Sequence, residues 1–225
     1  MEKDLHLRGL PRAKVLAAVV RVMELGHLRV GNDEYSRTNN SYGLTTIHNK
    51  HVQVRGSQMR FRFRGKSGVE RDLTIADPIL SRIGRNCQDL PGQELFGYRD
   101  EDGNVHDVRS EDVNAYLKEI SGEDITAKDF RTWGGSTKAL EELLRLGEND
   151  KDSEASFKRR ELEVIRAVSA HLGNTVAVCR KYYIAPAVFA SDRDGRLGKI
   201  GSKKLKRGRA FSSGEVMLME ILKNS

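Results

Sequence analysis

The sequence predicts an α+β fold: a mainly helical chain with a small antiparallel sheet and hairpin near its N-terminus. Three observations carry this. Val15, Leu16, Val19, Val22 and Met23 recur at the spacing of one helix face. The stretch MRFRFRG alternates strictly, so Met59, Phe61 and Phe63 oppose Arg60, Arg62 and Arg64, as on a half-buried strand. From Asp77 onward the apolar residues return to helical spacing.

Each element has its own signal. Pro11 suits a first helical position, and Gly26 can close that helix. Residues 27 to 75 then read as a small antiparallel sheet. HVQVRG, MRFRFRG and VERDLTI are its strands, and GKSG is a hairpin tip with Lys66 at the turn. Asp77-Pro78 is a cap followed by a first-position proline. A short sheet or loop is expected in ELFGYRDEDGNVHDV. The segment from Ser110 carries Val113, Tyr116, Leu117 and Ile120 on one helix face. Thr126 with Asp129 opens another helix, expected to run to Leu146. GENDKDSEAS reads as a solvated acidic loop. Leu162, Ile165, Val168 and Leu172 mark a helix stopped by Gly173, and Thr175 caps a short one bearing Tyr182 and Tyr183. Residues 193 to 209 are Gly-rich and basic, expected as a flexible arm. Ser212 with Glu215 starts a last helix. The expected division is a sheet lobe at 1–76, a helical lobe at 77–192, and the arm with its helix at 193–225.

Composition narrows the function. Among 225 residues, 39 Lys+Arg against 32 Asp+Glu leave a net charge of +7. The isoelectric point near 9.4 points to a polyanionic partner such as nucleic acid. Two cysteines, Cys87 and Cys179, imply no disulfide framework and fit a reducing compartment. No apolar run approaches the roughly 20 residues of a membrane span, and MEKDLHLRGL lacks the apolar core of a signal peptide. A soluble, cytoplasmic protein without membrane association is expected. His48 and His51 have no Cys, Asp or Glu cluster beside them, so no metal site is expected. There is no GxxxxGK[ST] phosphate loop and no G-x-S-x-G elbow. A basic protein that acts on phosphodiesters without metal needs arginine and lysine to neutralise charge, and a side-chain nucleophile.

Four stretches meet that need together: LRVGNDEYSRTNNSYGLTTIHNKHVQV, FRGKSGV, DITAKDFRTWGGS and LGNTVAVCRKYYIAP. In this order they resemble the catalytic domain of type IB DNA topoisomerases, especially the short bacterial and poxvirus-type enzymes. Taken singly, Arg29 reads as a surface residue, Lys66 as a solvated turn lysine, and Tyr182 and Tyr183 as fillers. The resemblance implies a DNA breaking-rejoining fold. It matches the family's R-x-G-x-x-x-Y to Arg29, Gly31 and Tyr35, and its hairpin lysine after F-x-G to Lys66. K-D-[LF]-R-T gives Arg131, with Lys128 three residues before it. The nucleophile lies nine residues after the His or Asn of LG[HN]T, so Asn174 selects Tyr183 rather than Tyr182. Asn174 stands where poxvirus-type members carry histidine, and Val176 where proline is frequent.

The roles implied by the resemblance follow. Tyr183 attacks a backbone phosphorus, forming a 3′-phosphotyrosine and freeing a 5′ hydroxyl. Arg29, Arg131 and Asn174 hold the non-bridging oxygens, and Lys66 protonates the leaving oxygen. Lys128, Tyr35, Arg60, Arg62, Arg64 and Lys50 are the DNA-contacting set. The partner is double-stranded DNA, no cofactor or ATP is needed, and a monomer is expected. Members of this family generally carry a β-rich N-terminal clamp domain; nothing before Pro11 supplies one, so the clamp is expected to be absent from this chain, either as a fragment or as a reduced member. A tyrosine recombinase is the nearest alternative. Its second motif normally reads His-x-x-Arg, whereas Lys128 precedes Arg131 here. TIHNKH and the short interval from Arg29 to Lys66 also favour the topoisomerase. A non-catalytic DNA-binding module would not need Tyr183, Lys66 and both arginines together.

Overall fold

The computed structural model describes residues 1–147, 153–201 and 211–224, apart from the side chain of Tyr35. It contains two compact units, residues 1–130 and 131–225. It is a mainly helical α+β chain, and its strands lie in the first unit.

In the first unit, α1 (Glu2–Leu5) precedes α2 (Arg12–Gly26). Pro11 is the extended residue just before α2 rather than its first helical one. The left-handed residue that ends α2 is His27, with φ 48°, not Gly26. Gly26 serves packing instead: a methyl there would sit 3.0 Å from Leu73 Cδ1 and 3.4 Å from Ile75 Cδ1. The helix therefore lies close on the sheet formed by β1 (Val52–Arg55), β2 (Gln58–Arg64) and β3 (Glu70–Ala76).

The strands run antiparallel in the order β1-β2-β3, with Phe61 opposite both Val52 and Leu73. Met59, Phe61 and Phe63 are buried, and Arg60, Arg62 and Arg64 are exposed, as the alternation requires. The sheet is smaller than expected. Residues 27 to 51 contain α3 (Asp33–Asn39) and two 3-10 turns, Leu44–Thr46 and Asn49–His51. The Asn, Asp, Ser and Gly residues of this stretch offer the backbone local partners that compete with a strand ladder.

The helix α4 (Pro78–Gln88) begins where Asp77 accepts from the Ile79 and Leu80 amides at 2.9 and 3.0 Å. Its Leu80, Ile83 and Cys87 join the same core as Met59 and Phe61. That shared core is why the unit boundary falls at 130/131 instead of the expected 76/77. Strands β4 (Gly97–Arg99) and β5 (Val105–Asp107) form the expected second hairpin. Helix α5 (Ser110–Ser121) buries Val113, Tyr116 and Leu117, but Ile120 is exposed and falls outside the expected stripe. Thr126 N–H donates to Asp129 at 2.8 Å and starts α6 (Ala127–Leu146), so aspartate replaces glutamate in that cap.

The second unit packs α7 (Glu154–Leu172), α8 (Val176–Tyr182), α9 (Pro186–Arg193), α10 (Arg196–Gly201) and α11 (Ser213–Lys223) with most of α6. Its core holds Leu140, Leu143, Val164, Ile165, Val168, Leu172, Cys179, Val188 and Leu218. Gly173, with φ 61°, closes α7 as expected. Ser212 and Glu215 cap α11 reciprocally, at 3.2 and 2.8 Å. The expected flexible arm is corrected over its first part. Arg193 ends α9, and Leu197 and Ile200 of α10 are buried, so this stretch packs as helix. Residues 202–209 of that stretch, and 148–152 of the acidic loop, lie outside the described residues. Among the described residues, no helix is long and apolar enough to cross a membrane.

Candidate active site

The second unit brings three of the predicted residues together. Arg131 lies in the first half of α6 and is only 3% exposed. Its Nη2 donates to the carbonyl of Leu172 at 2.9 Å, one of the last carbonyls of α7 and otherwise without a helical donor. Asn174 follows two residues later. It is held by its own amide donating to Ser169 O at 3.1 Å and by Ser169 Oγ donating to its carbonyl at 2.6 Å. Arg131 Cζ also stands 5.2 Å from the centroid of the Tyr183 ring. The guanidinium thus joins the segment carrying Asn174 to the ring of Tyr183.

Tyr183 is placed by capping chemistry. Thr175 Oγ1 accepts from Val178 N at 3.3 Å and starts α8, and the Tyr183 amide donates to Cys179 O at 3.0 Å as the helix ends. Tyr183 is half-buried, whereas Tyr182 is 46% exposed with Lys181 Nζ 5.1 Å from its ring centre. Their different surroundings fit the choice of Tyr183 over its neighbour.

Sequence reading missed the residues that seat this tyrosine. Thr132 Oγ1 donates to Tyr182 O at 3.3 Å, and Ser136 Oγ accepts from Ala185 N at 2.9 Å. Gly135 lies between them along the same face of α6, and a methyl there would overlap the Tyr183 carbonyl. All three stand in the quoted stretch DITAKDFRTWGGS, so the signal was present as Thr, Gly and Ser at helical spacing.

The first unit ties Arg29 to the turn that bears Lys66. The Leu44 amide donates to Arg29 O at 3.0 Å, and the Tyr42 amide donates to Arg64 O at 2.8 Å, at the end of β2. One short segment therefore bonds both backbones. Its close approach depends on glycines. A methyl on Gly43 would lie 2.5 Å from Gly31 Cα, and Gly31 itself has φ 113°. Lys66 is exposed in a 3-10 turn, Lys66–Gly68, closed by Gly65 N–H donating to Val69 O at 2.8 Å. The guanidinium of Arg64 lies over Gly68, 2.9 Å from where a methyl would stand.

The remaining predicted contacts are surface groups. Lys50, Lys128, Arg60, Arg62 and Arg64 are exposed. Arg60 forks onto Asp72 at 2.8 and 2.7 Å, and Arg62 approaches the same carboxylate at 3.3 Å. Among the described residues, no group of three or more His, Cys, Asp or Glu is placed to hold a metal. His48 and His51 stack at 5.3 Å beside Tyr42, and His51 Nδ1 accepts from the His48 amide at 3.1 Å. Burial, then the neighbouring His48 and Lys50, lower His51 to about 4, so the His51 ring is neutral near neutral pH.

Comparison with known proteins agrees with this picture. The chain is 29% identical over 189 residues to DNA topoisomerase 1B of Acanthamoeba polyphaga mimivirus, covering 82% of this chain. The chain spans 56% of the length of that relative. The family described as eukaryotic DNA topoisomerase I, catalytic core, matches residues 1–192, which include Arg29, Lys66, Arg131, Asn174 and Tyr183. On that match, across most of its length, the chain belongs to the DNA topoisomerase I catalytic-core family.

Proposed function

We propose that the chain is the catalytic part of a type IB DNA topoisomerase that relaxes double-stranded DNA. The observation that carries this is the placement of Arg131 between Leu172 and the Tyr183 ring. A buried guanidinium beside a tyrosine, with Asn174 just past the end of α7, suits attack on a phosphodiester. Tyr183 Oη gives up its proton to water and forms a bond to phosphorus, and the bond from phosphorus to the 5′ oxygen breaks. Arg131 and Asn174 donate to non-bridging oxygens as negative charge builds on them. In the same reading Arg29 donates to a non-bridging oxygen, and Lys66 delivers a proton to the leaving 5′ oxygen. The phosphotyrosyl bond conserves the phosphodiester energy, so the 5′ hydroxyl reverses the step without a nucleotide cofactor. Double-stranded DNA is the proposed partner, and Lys50, Tyr35, Lys128, Arg60, Arg62 and Arg64 are its proposed backbone contacts. We further propose that the enzyme works as a monomer in the cytoplasm.

The test is plasmid relaxation in chelator, without ATP. The wild-type chain should relax supercoiled plasmid and leave a protein–DNA adduct on denaturing gels. Tyr183→Phe should bind duplex but form no adduct, while Tyr182→Phe should form it. Adduct formation by Tyr183→Phe would remove Tyr183 from the role. Activity confined to paired specific sites would make the chain a recombinase.

A further inference from the structure

Helix α11 lies beyond residues 1–192, the span matched by the family, yet it docks on the helix that seats Tyr183. Its Met217, Leu218 and Ile221 enter the same core as Leu140 and Leu143 of α6. The first turn of α11 lies close on α6: a methyl on Gly214 would stand 2.9 Å from Thr137 Cγ2 and 3.0 Å from Glu141 Oε1. Glu215 adds a polar link. Its Oε1 accepts from Trp133 Nε1 at 2.8 Å, and its Oε2 accepts from the Ser212 amide at 2.8 Å. One carboxylate therefore caps α11 and ties it to α6. Negative charge is favoured at a helix N-terminus, and an ionised acceptor strengthens the bond from the indole.

Trp133, Thr137 and Glu141 follow at four-residue spacing, so they form one flank of α6. Thr132, Gly135 and Ser136, which meet the backbone of Tyr182, Tyr183 and Ala185, form the neighbouring flank. A helix gripped on two adjacent flanks cannot roll about its axis without breaking one set of contacts. A roll would carry Thr132 and Ser136 away from the backbone they bond.

We propose that Glu215 is a positioning residue: through Trp133 it fixes the roll of α6, and with it the seat of Tyr183. Its effect on cleavage rests on the reading of Tyr183 as the nucleophile, but the link from Glu215 to the seat does not.

The chain has a single tryptophan, so one indole Nε1–H resonance reports the bond directly. Glu215→Ala should move it upfield, and Glu215→Gln, which keeps an acceptor oxygen, should move it less. The seat is read without DNA at the Ala185 amide, which donates to Ser136 Oγ at 2.9 Å. Its hydrogen exchange should quicken in Trp133→Phe and in Glu215→Ala, and more than exchange in the middle of α7. Both substitutions should slow single-turnover cleavage by about tenfold, while duplex affinity stays within about twofold of wild type. Glu215→Gln should recover part of the rate, and the double variant should be no slower than the slower single one. Ser212→Ala weakens the cap of α11 but leaves the bond to Trp133. It should lower the thermal midpoint and still cleave at the wild-type rate. Quickened exchange at Ala185 in variants of a chain that never cleaves DNA, even as wild type, would keep the positioning link and sink the enzyme reading alone. Unchanged exchange at Ala185 overturns the proposal, as does unchanged cleavage by both variants of an active chain. So does a Ser212→Ala variant as slow as Glu215→Ala, because α11 would then act through its stability alone.

Discussion

Gly135 shows how much one missing methyl decides. Replacing an interior helical glycine with alanine ordinarily stabilises a helix by about 1 kcal/mol. Here the added methyl would meet the Tyr183 carbonyl, and backbone cannot swing aside as a long side chain can. Gly135→Ala should therefore lower the thermal midpoint, by the equivalent of about 1–3 kcal/mol. It should also slow cleavage more than it weakens duplex binding. A variant both more stable and fully active would show that the Tyr183 backbone has slack. Lys66 makes a different prediction, because it is exposed and its proposed role is proton delivery. Lys66→Ala should cut the cleavage rate of ordinary DNA by about 10²–10⁴-fold. A 5′-bridging sulfur, a better leaving group, should restore most of the loss. Equal defects on both substrates would take the proton transfer away from Lys66.

Helix α8 is a short element with a large consequence. It has two turns, too few to stand alone, so its stability comes from its cap and from Cys179 in the core. Its last turn delivers Tyr183, and any fraying there moves the proposed nucleophile. The Thr175 cap is exposed and its bond is long at 3.3 Å, so Thr175→Ala should cost only about 0.5–1 kcal/mol globally. Hydrogen exchange at the Cys179–Tyr183 amides should nevertheless speed up more than exchange in α7. Uniform acceleration across the second unit would mean that α8 opens only with the whole core. By contrast, Asp77→Ala removes an acceptor for two α4 amides and a partner of Arg21 at 3.5 Å. It should cost about 1–2 kcal/mol and destabilise the first unit.

The pH response of the whole chain follows from groups that fold into uncharged or paired states. His51 is lowered from 6.5 to about 4 by burial, so the folded chain binds that proton less readily than the unfolded one. Stability is then unaffected above 6.5, falls as pH drops below it, and has lost this contribution by about pH 4. Asp4, lowered first by its bond from the Tyr116 hydroxyl, adds a loss deeper in the carboxylate range. His51→Asn keeps an acceptor for the His48 amide but does not titrate. Its thermal midpoint should change less with pH between 6.5 and 4 than that of the wild-type chain. Identical profiles would show that His51 is not the group responsible.

Short-range chemistry was legible from the residues alone. The alternation of MRFRFRG set the strand and its arginine face. Asp77-Pro78, Gly173, Thr175 and the Ser212–Glu215 pair marked helix ends that the structure reproduces. These signals act within a few residues, through hydrogen bonds and backbone sterics that any local reading can weigh. Residues 27 to 51 left the sheet through local polar partners, and the other mismatches are long-range. Gly26 looked like a helix terminator because a lone glycine carries no sign of the Leu73 side chain packed on it. The basic stretch after Arg193 looked mobile because Leu197 and Ile200 are too few to signal a helix without the core that buries them. Family resemblance picked out Arg131, Asn174 and Tyr183 one by one, and their adjacency appeared only when α6, α7 and α8 packed. The sequence by itself determined the strongly patterned elements, such as β2 and the capped helices, and the face that β2 buries. Only the tertiary structure decided which charges and which backbones meet, because such meetings are made by chain segments far apart in sequence.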